Sequence, residues 1–305
     1  MTRITRRGFI REAAAGALAV GAVGSELLAA EQERKARVVV VTCADVIDRD
    51  KPLNAGALRR MMERGITALA GKRDVAEAWK TFIKPSDEVA LVDAGTWLYN
   101  VPEVLVEAMR GITLAAPKSV KLTYCALDGR NQQFLGQVRS GLKAAGLSES
   151  VMDGSIYTVS ANSFHKSRFT SLVMAPTLKS SQIAGVSGVV KHYATMSKGG
   201  PAPHHPNAME SAGSVIVPEF GQMKHLIIVD ALRFGETTRG PQYYQKSLLF
   251  GTDPVATDVI ALDLYLRNCK TFGDLPPDRH RILADTRYKA GISDRKRIEV
   301  QQITV

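Results

Sequence analysis

The chain has 305 residues, 45% hydrophobic and 23% charged, which is the composition of an ordinary globular domain and excludes a disordered or fibrous one. Its formal net charge is +10, yet the basic residues are dispersed and only 6% of the chain is aromatic, which argues against a nucleic-acid partner. The three cysteines, Cys43, Cys125 and Cys269, form no C-x-x-C, so neither a disulfide framework nor a cysteine-ligated iron–sulfur cluster or structural zinc site is expected.

The N-terminus reads Thr5-Arg6-Arg7-Gly8-Phe9-Ile10-Arg11, then an apolar stretch from Ala13 to Val23, then Leu27-Leu28-Ala29-Ala30. A basic start, a mildly hydrophobic core and small residues at the exit define a secretory signal. The arginine pair followed by Gly-Phe-Ile resembles the twin-arginine consensus, and a core rich in Ala and Gly suits that route. An apolar run of roughly 12 residues is too short to span about 30 Å of hydrocarbon. The expectation is a signal over 1–30, export to the periplasm by the twin-arginine translocase, and a mature chain that does not span the membrane. Retention of the segment as an anchor is the alternative, because Leu28 is large for the position three before a cut after Ala30. Four arginines and two glutamates lie in the first 30 residues, so the remainder carries about +8.

Residues 31–305 read as a single α/β domain. The β-branched run Val38–Thr42 predicts a buried strand, with Cys43 a small apolar residue beside it. Asn54 is placed to cap a helix through Ala70, with Leu58, Met61, Met62 and Ile66 on one face. A second helix is predicted over Val75–Ile83. Next come a strand at Val89–Asp93, a helix at Pro102–Arg110, a strand at Val120–Tyr124 and a helix at Phe134–Ala145. Strands follow at Ile156–Ser160 and Ser171–Ala175. In the second half, helices are predicted over Ile183–Met196 and near Met209–Val217. The clearest strand is Leu226–Asp230; another lies at Ser247–Phe250, and Asp253-Pro254 starts a helix through Leu266. This alternation predicts a mostly parallel sheet covered by helices on both faces.

Chemistry concentrates after Ala175. Lys179 and Lys191 flank Gly185-Val186-Ser187-Gly188, where glycines let a backbone approach a ligand and an ammonium suits phosphate or carboxylate. A lysine in apolar surroundings also serves as a base. Asp230 ends an apolar strand, and Asp253 and Asp258 follow another, which places all three carboxylates at strand ends where open α/β sheets bind ligands. Cap roles are the alternative for Asp230 and Asp253. His192, His204 and His205 lie within fourteen residues. With Asp230 or Asp253, one or two of them would form an imidazole–carboxylate set for a divalent transition metal. The set considered is His192, His204 and Asp230; exposed loop histidines are the alternative. His165 and His225 read as structural. No G-x-S-x-G and no G-x-G-x-x-G after a strand occurs, so neither a serine nucleophile elbow nor an NAD site is expected.

Three blocks resemble the domain-of-unknown-function family 362: Ala175-Pro176-Thr177-Leu178-Lys179 with Gly185 to Lys191; Ile228-Val229-Asp230 with Gly240-Pro241; and Leu249-Phe250-Gly251-Thr252-Asp253-Pro254-Val255-Ala256-Thr257-Asp258. Phe82 to Ala90 is a weaker echo of the family's early strand. The resemblance implies an α/β fold and a site in these blocks. The chain departs from the family at Lys179-Ser180-Ser181, at Lys191-His192 and at Asp93-Ala94-Gly95, and it lacks the ferredoxin modules of many members, so no electron-transfer role carries over. The sequence thus points to an exported α/β protein with a polar small-ligand or metal site. Lys179, Lys191 and Asp230 are its catalytic candidates, and Lys179, Gly185, Gly188, Lys191, Asp253 and Asp258 its ligand-binding candidates. A small anion is the ligand class considered. A non-catalytic binding or assembly protein of the cell envelope is the alternative, and a metal carrier the third.

Overall fold

Val38-Val39-Val40-Val41 forms the centre of strand β1 (Ala36–Thr42), and its side chains split between two cores. Val38 and Val40 face one, Val39 and Val41 the other, as a strand apolar on both sides requires. The computed structural model describes residues 34–93, 101–124, 132–147, 157–158, 168–199, 203–204, 208–235, 241–269 and 276–305. The expected signal, Cys125, His165, His205 and Gly240 lie outside them.

The strands in chain order after β1 are β2 (Glu88–Asp93), β3 (Ser119–Tyr124), β4 (Tyr157–Thr158), β5 (Ser171–Met174), β6 (Lys179–Ser181), β7 (Gly185–Ser187), β8 (Lys224–Ala231), β9 (Ser247–Gly251) and β10 (Ile298–Thr304). Eight of them make one sheet in the order β10-β1-β9-β8-β5-β2-β3-β4, while β6 and β7 pair as a separate hairpin. Every neighbouring pair of the large sheet is parallel except β1–β9 and β8–β9.

Helices cover both faces, as the alternating pattern predicts. One face carries α1 (Ala55–Ala70), α2 (Val75–Phe82), α3 (Pro102–Leu114) and α4 (Gln132–Ala144). The other carries α5 (Val189–Met196), α6 (Pro254–Leu266) and α7 (Arg279–Thr286). Asn54 caps α1 by accepting from the Ala57 N–H at 3.1 Å. No helix among the described residues is long and apolar enough to cross a membrane.

Two predicted helices differ. Ile183–Met196 divides into β7 and α5, because Gly185 takes a left-handed φ of 67° and turns the chain into a hairpin. Near Met209–Val217 the chain forms a 3-10 helix over Met209–Val215 and a π turn over Ile216–Phe220. Pro218 in that turn has no N–H to continue an α-helical ladder.

Candidate functional site

Beyond β5 the chain stays paired with β8. The Leu178 N–H donates to the Asp230 carbonyl at 2.9 Å, and the Asp230 N–H donates to the Pro176 carbonyl at 2.9 Å. This extension carries Lys179 past the carboxyl edge of the parallel strands and into the β6–β7 hairpin, where it pairs with Ser187. Lys191 lies in the first turn of α5 and donates from Nζ to Ser181 Oγ at 3.0 Å. Lys179 is buried, with 6% of its surface open. Burial and repulsion from Lys191 push its pKa down to about 7, against the pull of Asp93 at the end of β2. Burial pushes Lys191 down to about 8. Lys179 and Lys191 thus lie at one edge, and Asp93 acts on Lys179 with the opposite charge.

Asp230 belongs to the same edge but points to the other face, in step with Leu226 and Ile228. Its carboxylate accepts from the Val101 N–H at 3.1 Å and the Leu232 N–H at 3.0 Å. Burial nevertheless raises its pKa to about 6, which the two N–H bonds only partly offset. Next to it, a cavity of about 1100 Å³ opens between α3 and α4, with Arg49, Lys51, Glu103, Arg233 and Tyr244 in its lining.

Asp253 and Asp258 occupy places other than the one their position after a strand suggests. Strand β9 is antiparallel, so its carboxyl end lies at the edge where its parallel neighbours begin: Gly251 pairs with Val38 and Ile227. Asp253 therefore sits at the opposite edge from Asp230 and does not converge with the lysines. There it caps α6, its Oδ1 accepting from Val255, Ala256 and Ile292 N–H groups at 3.0, 2.9 and 3.2 Å. Asp258 is fully buried and accepts from the Val189 and Val190 N–H groups at 2.9 and 3.0 Å and from Arg281 Nη2 at 3.1 Å. It caps α5 from outside. A Cβ on Gly188 would lie 1.8 Å from Asp258 Oδ1, so this glycine admits a carboxylate of the chain itself. Gly185 serves the hairpin turn.

The histidines are dispersed. His192 Nδ1 bonds the Gly188 carbonyl one turn back. His204 Nδ1 bonds Ser211 Oγ at 2.9 Å, in the segment that leads into the 3-10 helix. The carboxylate of Asp230 faces the other side of the sheet, so His192, His204 and Asp230 are not brought together. Among the described residues no group of three or more His, Cys, Asp or Glu is arranged to hold a metal ion. His225 packs against Tyr193 and bonds the Phe220 carbonyl at 3.0 Å, a structural place.

Sequence reasoning missed α7. His280 is buried, and its Nε2 has no hydrogen-bond partner among the described residues. Burial, Arg281 and Lys191 together hold its pKa well below the usual value, so it is a neutral imidazole within electrostatic reach of Lys191. The signal was the triplet Arg279-His280-Arg281, which resembles any basic helix start until the fold buries its centre. No family model matches the chain, and no curated protein matches it.

Proposed function

We propose that this is an exported protein that holds a small anion, a carboxylate or phosphate, at the carboxyl edge of its sheet between Lys179 and Lys191. One observation carries the reading: Lys179 is buried with the half-buried Lys191 near it, and among the described residues the carboxylate acting on Lys179 is Asp93. Burying two cations beside one countercharge is unfavourable, and an anionic ligand relieves it. The resemblance to family 362 supports this placement, since its first block contains both lysines. The twin-arginine-like segment supports export to the periplasm.

Binding and protonation are linked. An anion favours both ammonium forms, so affinity should be highest below about 7 and fall as the pH passes the values of the two lysines, about 7 and about 8. Titration calorimetry with inorganic phosphate and with malonate from pH 6 to 9 tests this. The Lys191→Met chain should lose roughly tenfold or more in affinity. Binding that ignores both pH and this substitution would place the anion elsewhere.

A second reading is catalysis, favoured by Lys179 itself. An amine with a pKa near 7 is divided between free base and ammonium at neutral pH, the condition a general base needs.

A further inference from the structure

The geometry points to the cavity beside Asp230 as a second site, one that takes a phosphate ester of a flat aromatic body, the size of a nucleoside monophosphate. It lies on the other face of the sheet from Lys191 and does not rest on the reading of the lysine pair.

The cavity measures about 1100 Å³, at the top of the range that holds small organic ligands. Its walls come from segments that leave the sheet at one edge. Arg49 and Lys51 follow β1, Val101 and Glu103 follow β2, α4 follows β3, and Arg233 follows β8. These four strands run the same way, since β9 is antiparallel to both β1 and β8 while β8, β5, β2 and β3 are mutually parallel. The cavity therefore stands at the carboxyl edge, where open α/β sheets receive ligands. The Asp230 carboxylate ties two of the walls together. It accepts from Val101 N–H at 3.1 Å and from the N–H of Leu232, the neighbour of Arg233, at 3.0 Å.

Charge selects one end of the ligand. Arg49, Lys51 and Arg233 line the cavity with two carboxylates, Asp48 and Glu103. Asp48 is held by Lys246 at 2.9 Å, which leaves three cations against Glu103. A phosphate restores the balance, and a guanidinium fork reads its oxygens in pairs. Helix α3 begins at this wall without a side-chain cap, so its positive end adds to the same field.

Shape selects the other end. A bare phosphate would leave most of the cavity empty. Phe134 and Tyr244 supply aromatic surface for a ring, and Glu103 is an acceptor for hydroxyl groups. The facing side of α4 is made of small residues, Gly136, Ser140 and Ala144, one turn apart. Among the described residues, a Cβ built on Gly136 meets no atom within 4 Å. That face leaves room for a flat body.

Calorimetry on the full chain with adenosine monophosphate and adenosine tests this. The nucleotide should bind once per chain, and adenosine should bind roughly tenfold or more weakly. Gly136→Leu puts a side chain into the cavity and should abolish nucleotide binding. It should melt no lower than the wild type, because leucine favours a helix over glycine. Arg49→Met, at an exposed position, should weaken the nucleotide by roughly tenfold or more and leave adenosine unchanged. Lys191→Met should bind the nucleotide like the wild type. The proposal fails if the nucleotide does not bind, if adenosine binds as tightly, or if a cooperatively melting Gly136→Leu chain binds it unchanged. If Gly136→Leu does not fold, an unchanged affinity in Arg49→Met overturns it. Loss of binding in Lys191→Met with binding kept in Gly136→Leu would place the nucleotide at the lysine pair. The anion reading would then stand and the cavity site would not.

Discussion

Two buried groups at the carboxyl edge bend the stability of the chain with pH in opposite directions. The native pKa of Lys179 is about 7 against an ordinary 10.5. Between these values the unfolded chain binds more protons than the native one, so stability rises with pH across that window. Asp230 is raised from 3.8 to about 6. Between those values the native chain keeps a proton the unfolded chain has lost, so stability falls as pH rises through that window and is flat above it. We expect Lys179→Met to stabilise the protein at pH 6 by about 2 kcal/mol and to flatten the rise above pH 7. Asp230→Asn should remove the fall between about 4 and 6, while losing ~1 kcal/mol because an amide cannot accept from both the Val101 and Leu232 N–H groups. Urea melts from pH 4 to 10 read both. Lys179 and Lys191 were legible because a lysine–glycine–lysine spacing survives any folding detail. His280 was not, because burial between two arginines is decided by how α7 docks.

The direction of β9 decides where Asp253 goes, and an apolar run such as Ser247-Leu248-Leu249-Phe250 reads the same in either direction. The clue lay in the connection. The described residues between β8 and β9, 232–235 and 241–246, form no helix, and a parallel neighbour would need a helical crossover of a dozen or more residues. A direct return is antiparallel. The break within 183–196 was hidden for another reason: besides the turn at Gly185, the start of α5 is fixed by Asp258, about seventy positions away, whose carboxylate occupies the space over Gly188 and caps that helix. This carboxylate joins three helices, α5 through its N–H groups, α6 as its own element and α7 through Arg281. Gly188→Ala should therefore lose about 2–4 kcal/mol, since the new methyl must displace a carboxylate that neutralises a fully buried arginine. Asp253→Ala should lose ~2 kcal/mol by freeing three N–H groups. Thermal melts compare the two. Equal and small effects would mean that neither carboxylate pins its helix.

Across the whole molecule, the alternation of strands and helices was enough to predict the sheet, since each helix must cover a face and each crossover favours parallel neighbours. The order of the strands was not legible. Strand β1 pairs with β9 and β10, so Ala36 meets Ile298 and Thr42 meets Ser247. Such distant pairings make folding slow, because β1 waits for segments far along the chain. A β1 that lacks both neighbours exposes the unpaired edges of a Val38–Val41 run, which favours aggregation. Crossing a membrane unfolded would prolong that exposure; crossing after folding avoids it. Export after folding is the route proposed above for the arginine pair. With Arg6→Lys and Arg7→Lys together, the folded chain should accumulate in the cytoplasm, protected from added protease like the wild type, and the cell-envelope fraction should fall to a small share. Fractionation with limited proteolysis reads both quantities. If the double variant still reaches the envelope in full, the chain travels by a route that does not read the two arginines, and the slow assembly of β1 must be managed in another way.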